Sequence, residues 1–158
     1  MRTLGWDHED IVSRGWIPQS EIASVLASAD ILFLPYSFLN GSRDAVETAF
    51  PSKTADYLAA GKPILVFGPK YSSLVRYASE QGFAEIVDEF SPDALVQGIC
   101  KIAGSSPYRE QLAARALEVF SANHNMKRQQ QKFYLTLEDI RRPSRANRRL
   151  AQDAKRAK

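Results

Sequence analysis

Three residues within the stretch 50–63 have types and a spacing that could bind a phosphorylated ligand. Ser52 and Lys53 lie at the start of a predicted helix, where unpaired N–H groups and the positive end of the helix dipole favour an anion. Asp56, one turn further along, carries a carboxylate that can accept hydrogen bonds from sugar hydroxyls. The stretch could therefore hold the phosphates and the ribose of a nucleotide. The alternative is a capped helix whose lysine is simply solvated.

Both ends of this helix are marked in the sequence. Pro51 suits the first turn, where a missing N–H costs nothing, and the Ser52 hydroxyl can satisfy a free N–H there. Gly61 fits the left-handed position that closes a helix, and Pro63 prevents its continuation. The unbroken apolar run 64–67 follows directly and is typical of a buried parallel strand. The pattern thus predicts a helix that leads into a sheet.

Strands and helices are predicted to alternate along the rest of the chain. Short apolar runs predict four strands, near residues 10–13 and at residues 31–34, 64–67 and 84–87. Helical spacing and capping signals predict further helices: one capped by Ser20, others at residues 72–81, 91–103 and around 112–120, and an amphipathic helix at 125–140. This alternation predicts an α/β fold, a Rossmann-like parallel sheet with right-handed crossovers, flanked by helices.

Loops at the carboxyl ends of the strands are the expected ligand-binding places of an open α/β sheet. Gly15, Trp16 and Ile17 could contact a planar base through main-chain groups, and Trp16 could either stack on a ligand or pack against the protein. The loop 36–50 leads into the predicted helix, so we expect a functional loop and not a tolerated insertion. Residues 68–73 could close over a phosphate or sugar, or form a plain connecting turn.

The composition is that of an ordinary globular protein and excludes several function classes. The chain has 158 residues, 44% of them hydrophobic and 25% charged, and its longest apolar run is strand-sized. The single cysteine, Cys100, excludes an internal disulfide and fits a reducing compartment, and residues 1–7 lack an apolar signal core. With His8 and His124 as the only histidines, the usual spacing gives no metal site. We therefore expect a cytoplasmic protein without a metal.

The net charge of +3 hides an uneven distribution. Residues 141–158 carry eight Lys/Arg and one acid, a net charge of +7, so the rest of the chain carries −4. The sequence therefore predicts a mildly acidic domain, residues 1–140, followed by a basic, disordered tail, residues 141–158.

Catalytic motifs of hydrolases, kinases and dehydrogenases are absent from the sequence. It contains neither a G-x-S-x-G nucleophile elbow nor a G-x-G-x-x-G dinucleotide fingerprint. The phosphate loop G-x-x-x-x-G-K-[ST] is missing too, since Gly61-Lys62-Pro63 resembles its end but lies at the wrong end of a helix. These absences weaken all three readings.

Taken in order, three segments resemble the C-terminal, donor-binding domain of retaining glycosyltransferases with the GT-B fold, the large glycosyl transferases group 1 family. The segments are residues 15–22 with 29–35, residues 50–65, and residues 91–95 with the helix that follows. The second, FPSKTADYLAAGKPIL, is the most specific. The resemblance implies transfer of a sugar from a nucleotide diphosphate sugar, without a cofactor, in polysaccharide or cell-envelope synthesis.

Two groups of residues match family positions that contact the donor. The loop that contacts the base is matched by Gly15, Trp16 and Ile17. The helix start that faces the diphosphate, largely through main-chain N–H groups, is matched by Ser52, Lys53 and Thr54.

Two acids of the family have counterparts here that differ from the usual pattern. Asp56 matches the acid that holds the ribose hydroxyls, which is usually Glu in the family. The acid that contacts the transferred sugar falls at Thr48. Either the neighbouring Glu47 takes this role, which makes it the one candidate catalytic residue, or sugar recognition differs.

The chain departs from the family pattern at its beginning. The family's C-terminal domain normally starts with two further strand–helix units, including basic residues that grip the diphosphate, and nothing before Ile11 supplies them. The N-terminal acceptor domain is missing as well. We therefore expect an N-terminally truncated donor domain whose unpaired sheet edge is covered by that acceptor domain or by another chain. We also expect no transferase activity from this chain alone.

Two alternatives stay open. A sugar-nucleotide epimerase half shares the architecture, although more acids and histidines around the cleft would be expected. A non-catalytic binding module would use the basic tail to dock on nucleic acid or an anionic membrane. The tail lacks the interleaved aromatic residues of nucleic-acid sites, so peripheral association with the inner face of the membrane is the favoured version.

Overall fold

The chain forms a three-stranded parallel sheet with helices before, between and after its strands. The structure, a computed structural model, describes residues 10–39 and 43–141. The strands are β1 Leu32–Pro35, β2 Ile64–Phe67 and β3 Ala84–Val87. The helices are α1 Gln19–Ala27, α2 Arg43–Thr48, α3 Thr54–Ala59, α4 Ser73–Gln81, α5 Pro92–Ala103, α6 Ser106–Val119 and α7 Met126–Arg141, with a short π-helix, Phe120–His124, between the last two. The predicted α/β fold with a Rossmann-like parallel sheet is confirmed.

The strands lie in the order β1-β2-β3, and both neighbouring pairs are parallel. Leu32, Ile64 and Ala84 are aligned across the sheet, so the three strands begin at the same level. Because all strands point the same way, a helix that leads into the next strand must return the chain to the amino ends. The starts of α3 and α4 therefore lie toward the carboxyl edge, where ligands bind in open sheets of this kind.

The predictions for residues 10–13 and for residues 36–50 are wrong. No strand forms near residues 10–13, because Ile11 and Val12 are exposed and β1 pairs only with β2. Two apolar residues among charged neighbours bury too little surface to hold a strand at the sheet edge. The predicted loop 36–50 contains the short helix α2, whose only buried residue is Val46. With a single buried residue, α2 lacks the repeat of apolar residues by which a helix is predicted from sequence.

The central strand β2 is buried on both faces, whereas the edge strand β1 is buried on one. Ile64, Leu65 and Val66 are all buried, while buried and exposed residues alternate along β1. On one face, α5 and α6 cover the sheet through a cluster of buried residues, Leu65, Val87, Ile102 and Leu112. The α5 backbone packs closely there, since a Cβ added at Gly98 would lie 2.8 Å from the Val87 side chain.

A polar contact joins β3 to the two helices on that face. The Glu85 carboxylate accepts a hydrogen bond from Lys101 Nζ at 2.7 Å and another from the Tyr108 hydroxyl. The hydrogen bond to Glu85 raises the pKa of Lys101, and burial together with the same carboxylate raises the pKa of Tyr108. Both donors thus remain protonated over the usual pH range.

Serine caps start α4 and α5, and the cap at Ser91 is the one that the sequence predicts. Ser72 and Ser91 each accept a hydrogen bond from the N–H three residues on, at 3.1 and 3.2 Å respectively. The start of α1 differs from the prediction. It begins at Gln19 behind Pro18, so Ser20 lies inside the first turn and does not cap the helix.

The chain divides into two compact units between Leu117 and Glu118. The first holds the sheet, α1 to α5 and most of α6, and the second holds the end of α6, the π-helix and α7. Every side chain of α7 from Met126 to Ile140 is exposed. None of the helices in the described ranges is both long and apolar enough to cross a membrane. Residues 142–158 of the predicted tail lie outside the described residues, and the domain division predicted at residue 140 stays a prediction.

We expect alanine at Gly61 to destabilise the fold more than alanine at Gly82. Both glycines have positive φ, +61° and +68°, as predicted for Gly61. Each alanine therefore adds about 1 kcal/mol of backbone strain. At Gly61 the new Cβ would also lie 3.0 Å from the Leu117 side chain, whereas nothing lies within 4 Å at Gly82. Urea unfolding of both variants measures the difference, and equal losses would contradict the crowding at Leu117.

Candidate functional site

Two hydroxyl groups tie the segment ahead of α3 to the carboxyl edge of the sheet. Tyr36 follows β1 directly, and Ser73 begins α4 after β2. The Tyr36 hydroxyl donates to the Ala49 carbonyl at 2.6 Å, and the Ser73 hydroxyl donates to the same carbonyl. The Tyr36 N–H in turn donates to the Phe67 carbonyl, at the end of β2, at 2.7 Å. The chain that enters α3 is thereby held where β1 and β2 end.

A tight turn, residues 51–53, precedes α3. The helix starts at Thr54, three residues later than the sequence predicts, with Lys53 as the N-cap and no side-chain cap bond. The Thr54 N–H donates to the Pro51 carbonyl at 3.1 Å, and the Ala55 N–H donates to the Ser52 carbonyl at 3.4 Å. Bonds over three residues of this kind tighten a helix start and satisfy two of its N–H groups.

The donors that stay free at this turn are the N–H groups of Ser52 and Lys53. Neither has a hydrogen-bond partner among the described residues, and both side chains are exposed. Thr54, the third residue predicted to face a diphosphate, is completely buried, and its Oγ1 has no partner within residues 10–39 and 43–141. An anion at the turn would therefore meet two N–H groups, the Ser52 hydroxyl and the Lys53 ammonium.

Asp56 is exposed on α3 and lines a groove between α3 and α1. The groove has a volume of about 340 Å³, and Gln19 is its other polar lining residue. Asp56 and Gln19 are the lining residues nearest the starts of their helices, so they lie at the end of the groove toward the carboxyl edge. Burial raises the pKa of the adjacent Tyr57, which keeps its hydroxyl protonated. An apolar groove with two polar groups at one end suits a ligand that has an apolar part and a polar part.

The loop predicted to contact a base leads directly into this groove. Gly15 has a φ of +63°, a left-handed conformation that glycine adopts readily. Trp16 is 84% exposed, so the alternative that it packs against the protein is wrong for the described structure. Ile17 is half-buried and lies two residues before Gln19. The loop and Asp56 therefore lie at the same end of the groove.

Glu47 lies on α2 between two arginine side chains. Its carboxylate oxygens are 3.9 Å from Arg43 Nε and 3.9 Å from Arg76 Nη1. Arg76 also donates to the main-chain carbonyls of Glu47 at 3.0 Å and Tyr71 at 2.6 Å. Thr48, the position that matches the family's acid, bonds its hydroxyl to a carbonyl of its own helix. Of the two neighbours, only Glu47 presents a carboxylate here.

Sequence reasoning missed Arg43 and Arg76 as positive charges near the candidate site. The Arg43 guanidinium lies 4.6 Å from the centroid of the Tyr71 ring, and Arg76 bonds the Tyr71 carbonyl. The Tyr71 hydroxyl is itself buried, with no hydrogen-bond partner in the described part of the chain. No sequence signal joins these residues, because they belong to separate segments that only the crossover between β1 and β2 brings together.

A second groove lies beside β3 and contains none of the predicted site residues. It has a volume of about 250 Å³, and its charged lining residues are Glu85, Asp88, Glu89 and Lys101. Because Lys101 and Glu85 are bonded to each other, the remaining charged residues of the lining are the two acids Asp88 and Glu89. Within the described ranges, no three His, Cys, Asp or Glu side chains come together to hold a metal ion.

Comparison with known families finds a match. The sequence profile of the glycosyl transferase-like family matches residues 2–134. The chain therefore belongs to the glycosyl transferase-like family, and its role is in glycosyl transfer. Comparison with curated proteins and with solved structures finds no match.

We expect replacement of Arg76 by methionine to loosen α2. The variant loses the hydrogen bonds to the Glu47 and Tyr71 carbonyls, which should cost about 1–2 kcal/mol of unfolding free energy. Amide hydrogen exchange should rise most in residues 43–48.

Glu47→Gln is the matched control, because it removes only the ion pairs, which are 3.9 Å long and half-exposed. Its loss should stay below about 1 kcal/mol. A larger loss for Glu47→Gln than for Arg76→Met would show that the charges, and not the carbonyl bonds, hold α2.

Proposed function

We propose that this chain is the donor-binding, C-terminal portion of a retaining GT-B glycosyltransferase, and that its ligand is a nucleotide diphosphate sugar. The observation that carries the proposal is the turn ahead of α3. There Ser52 and Lys53 are exposed and their N–H groups have no partner in the described residues. The Ala49 carbonyl, just upstream, accepts hydrogen bonds from Tyr36, directly after β1, and from Ser73, at the start of α4. The turn thus lies at the carboxyl edge of a parallel sheet, the edge at which ligands bind in α/β proteins.

The proposed chemistry is stabilisation of a leaving group. When the bond between the sugar and the diphosphate breaks, negative charge grows on the diphosphate while the sugar becomes cationic. Two main-chain N–H groups, the Ser52 hydroxyl and the Lys53 ammonium would meet that growing charge at the turn. Donors already held in position act strongly on developing charge, because no reorganisation is needed during the reaction. Thr54 contributes through its place in the turn, since its own N–H is bonded to Pro51.

The nucleoside would occupy the end of the groove between α1 and α3. Asp56 would accept hydrogen bonds from the ribose hydroxyls, and the loop Gly15, Trp16 and Ile17 would contact the base. The exposed Trp16 ring offers a stacking face there. Because Asp is one methylene shorter than the family's usual Glu, we expect the ribose to lie closer to α3 than a Glu would require.

Glu47 is the proposed contact for the transferred sugar. Two guanidinium groups flank its half-exposed carboxylate at 3.9 Å each. Arg43 and Arg76 also bring positive charge to this edge of the sheet, a charge that the diphosphate of a donor requires. We further propose polysaccharide or cell-envelope assembly as the context and the cytoplasm as the location, as the family resemblance implies.

Two single variants, Lys53→Ala and Asp56→Ala, should distinguish the diphosphate-binding half of the proposed site from its ribose-binding half. Lys53→Ala should weaken binding of both uridine diphosphate and inorganic diphosphate about tenfold, because it removes a charge-assisted contact. Asp56→Ala should weaken the binding of uridine diphosphate by a similar factor. It should leave the affinity for inorganic diphosphate unchanged, because inorganic diphosphate has no ribose. Titration calorimetry with the two ligands, and with guanosine diphosphate for the base, measures these differences.

Lys62→Ala is the matched control, since it removes the same charge at the opposite end of α3. It should leave both affinities within twofold of the parent. The proposal fails if Lys53→Ala and Lys62→Ala behave alike, or if Asp56→Ala weakens inorganic diphosphate as much as uridine diphosphate.

A further inference from the structure

The second groove, beside β3, runs along a free edge of the sheet. It is lined by residues 85–89 and, on α5, by Ala94, Gln97, Gly98 and Lys101. On one side β3 pairs with β2, and no strand of the described ranges pairs with it on the other. Consecutive residues of a strand face opposite sides of a sheet. A groove that is lined by Glu85, Ile86 and Val87 alike therefore lies at the edge of β3.

The main-chain N–H and C=O of Ile86 point toward this free edge. The Val87 carbonyl accepts a hydrogen bond from the Gly68 N–H at 3.1 Å, so the polar main-chain groups of Val87 point toward β2. Alternate residues of an edge strand turn these groups to opposite sides. Those of Ile86 therefore point away from β2, and neither has a partner in the part of the chain that the structure describes. An added strand needs such a free donor and acceptor.

The charges around the groove favour a basic partner. Lys101 and Glu85 are bonded to each other, so their charges offset one another. Asp88 and Glu89 lie directly after β3, at the end of the groove toward the carboxyl edge of the sheet. Lys70 lies 3.8 Å from Asp88, but the Lys70 side chain is 81% exposed, and such a surface pair is weak. A Lys or Arg of an added strand would therefore meet acids at this end of the groove.

A second copy of the chain fits this edge poorly. Residues 84–89, AEIVDE, contain three acids and no Lys or Arg. Two copies paired edge to edge would each bring these acids to the same pair of strands, and like charges on neighbouring strands repel. A partner strand with Lys or Arg avoids this repulsion and supplies the complementary charge.

We propose that the free edge of β3 binds a basic, extended segment of a partner protein, which adds a fourth strand to the sheet. The N–H and C=O of Ile86 would both bond to the main chain of this strand, and a Lys or Arg of the strand would meet Asp88 or Glu89. Residues 85–89 extend over roughly 13 Å, so the segment needs about five residues. The inference does not rest on the proposed donor site, because the groove contains none of the residues of that site.

Nuclear magnetic resonance titration of the ¹⁵N-labelled full chain with capped hexapeptides tests the proposal. The peptide VKVKVK should shift the amide signals of Ile86, Asp88 and Glu89 in a saturable way. The peptide VKPKVK should bind at least about tenfold more weakly, because proline removes a main-chain donor but leaves the charge unchanged. The peptide VEVEVE should also bind at least about tenfold more weakly, because its charge is reversed.

Three variants of the chain locate the binding to the groove. Asp88→Asn combined with Glu89→Gln should lower the affinity for VKVKVK about tenfold, because the acids lose their charge and keep their shape. Gln97→Trp should lower it by at least as much, because the exposed Gln97 lines the groove and the larger ring fills it. Val96→Trp is the matched control, since Val96 is 57% exposed on the same helix but does not line the groove. It should leave the affinity within about twofold, and circular dichroism confirms that each variant is folded.

Each of three results would overturn the proposal. The first is the absence of a saturable shift at residues 84–89 with VKVKVK, which would show that the short, acidic edge only prevents pairing. The second is equal affinity for VKPKVK and VKVKVK, which would show that charge alone attracts the peptide. The third is a dimer in light scattering that Gln97→Trp converts to a monomer, without any binding of peptide, which would make a second copy the occupant.

Discussion

The hydrogen bonds that converge on the Ala49 carbonyl are the contact on which the proposed site depends. Tyr36 comes from the end of β1 and Ser73 from the start of α4, and both hydroxyls donate to that one oxygen. The carbonyl fixes where the chain turns into α3. The turn at Ser52 and Lys53 follows within four residues, so its N–H groups are held near the carboxyl edge of the sheet as well. The contact of the Phe50 ring with Tyr77 and the packing of the buried residues Thr54 and Leu58 add to these two bonds in holding the turn.

The fold follows from the sequence wherever a segment is long or clearly capped. The strands at residues 64–67 and 84–87 and the helices that begin behind Ser72 and Ser91 lie where apolar runs and capping residues predict them. Each of these segments has a period or a cap that a single sequence displays. The prediction of a strand near residues 10–13 is wrong because no described strand pairs with this segment, and a single sequence does not show which strands pair. The helix α2 escaped prediction because only Val46 is buried on it.

Only part of the candidate site could be predicted from the sequence. Ser52, Lys53 and Asp56 are contiguous in the sequence, so their grouping was predictable, and the family profile over residues 2–134 agrees with the resemblance. Arg43 lies one turn before Glu47 on α2. The contact between Arg76 and Glu47 was not predictable, since α4 and α2 come together only through the crossover between β1 and β2. The same holds for Thr54, whose burial depends on the packing of α3. What the sequence shows is the local turn, and what the structure adds is its charged surroundings.

The most direct test of the account is a nuclear magnetic resonance titration of the ¹⁵N-labelled chain with uridine diphosphate. It reports on single amides and remains informative for weak, millimolar binding. We expect the Ser52 and Lys53 amide signals to shift most, followed by those of Gly15, Trp16 and Asp56. The result that would contradict it is a saturable shift centred on the groove beside β3, at Glu85 and Lys101, with the Ser52 and Lys53 amides unmoved.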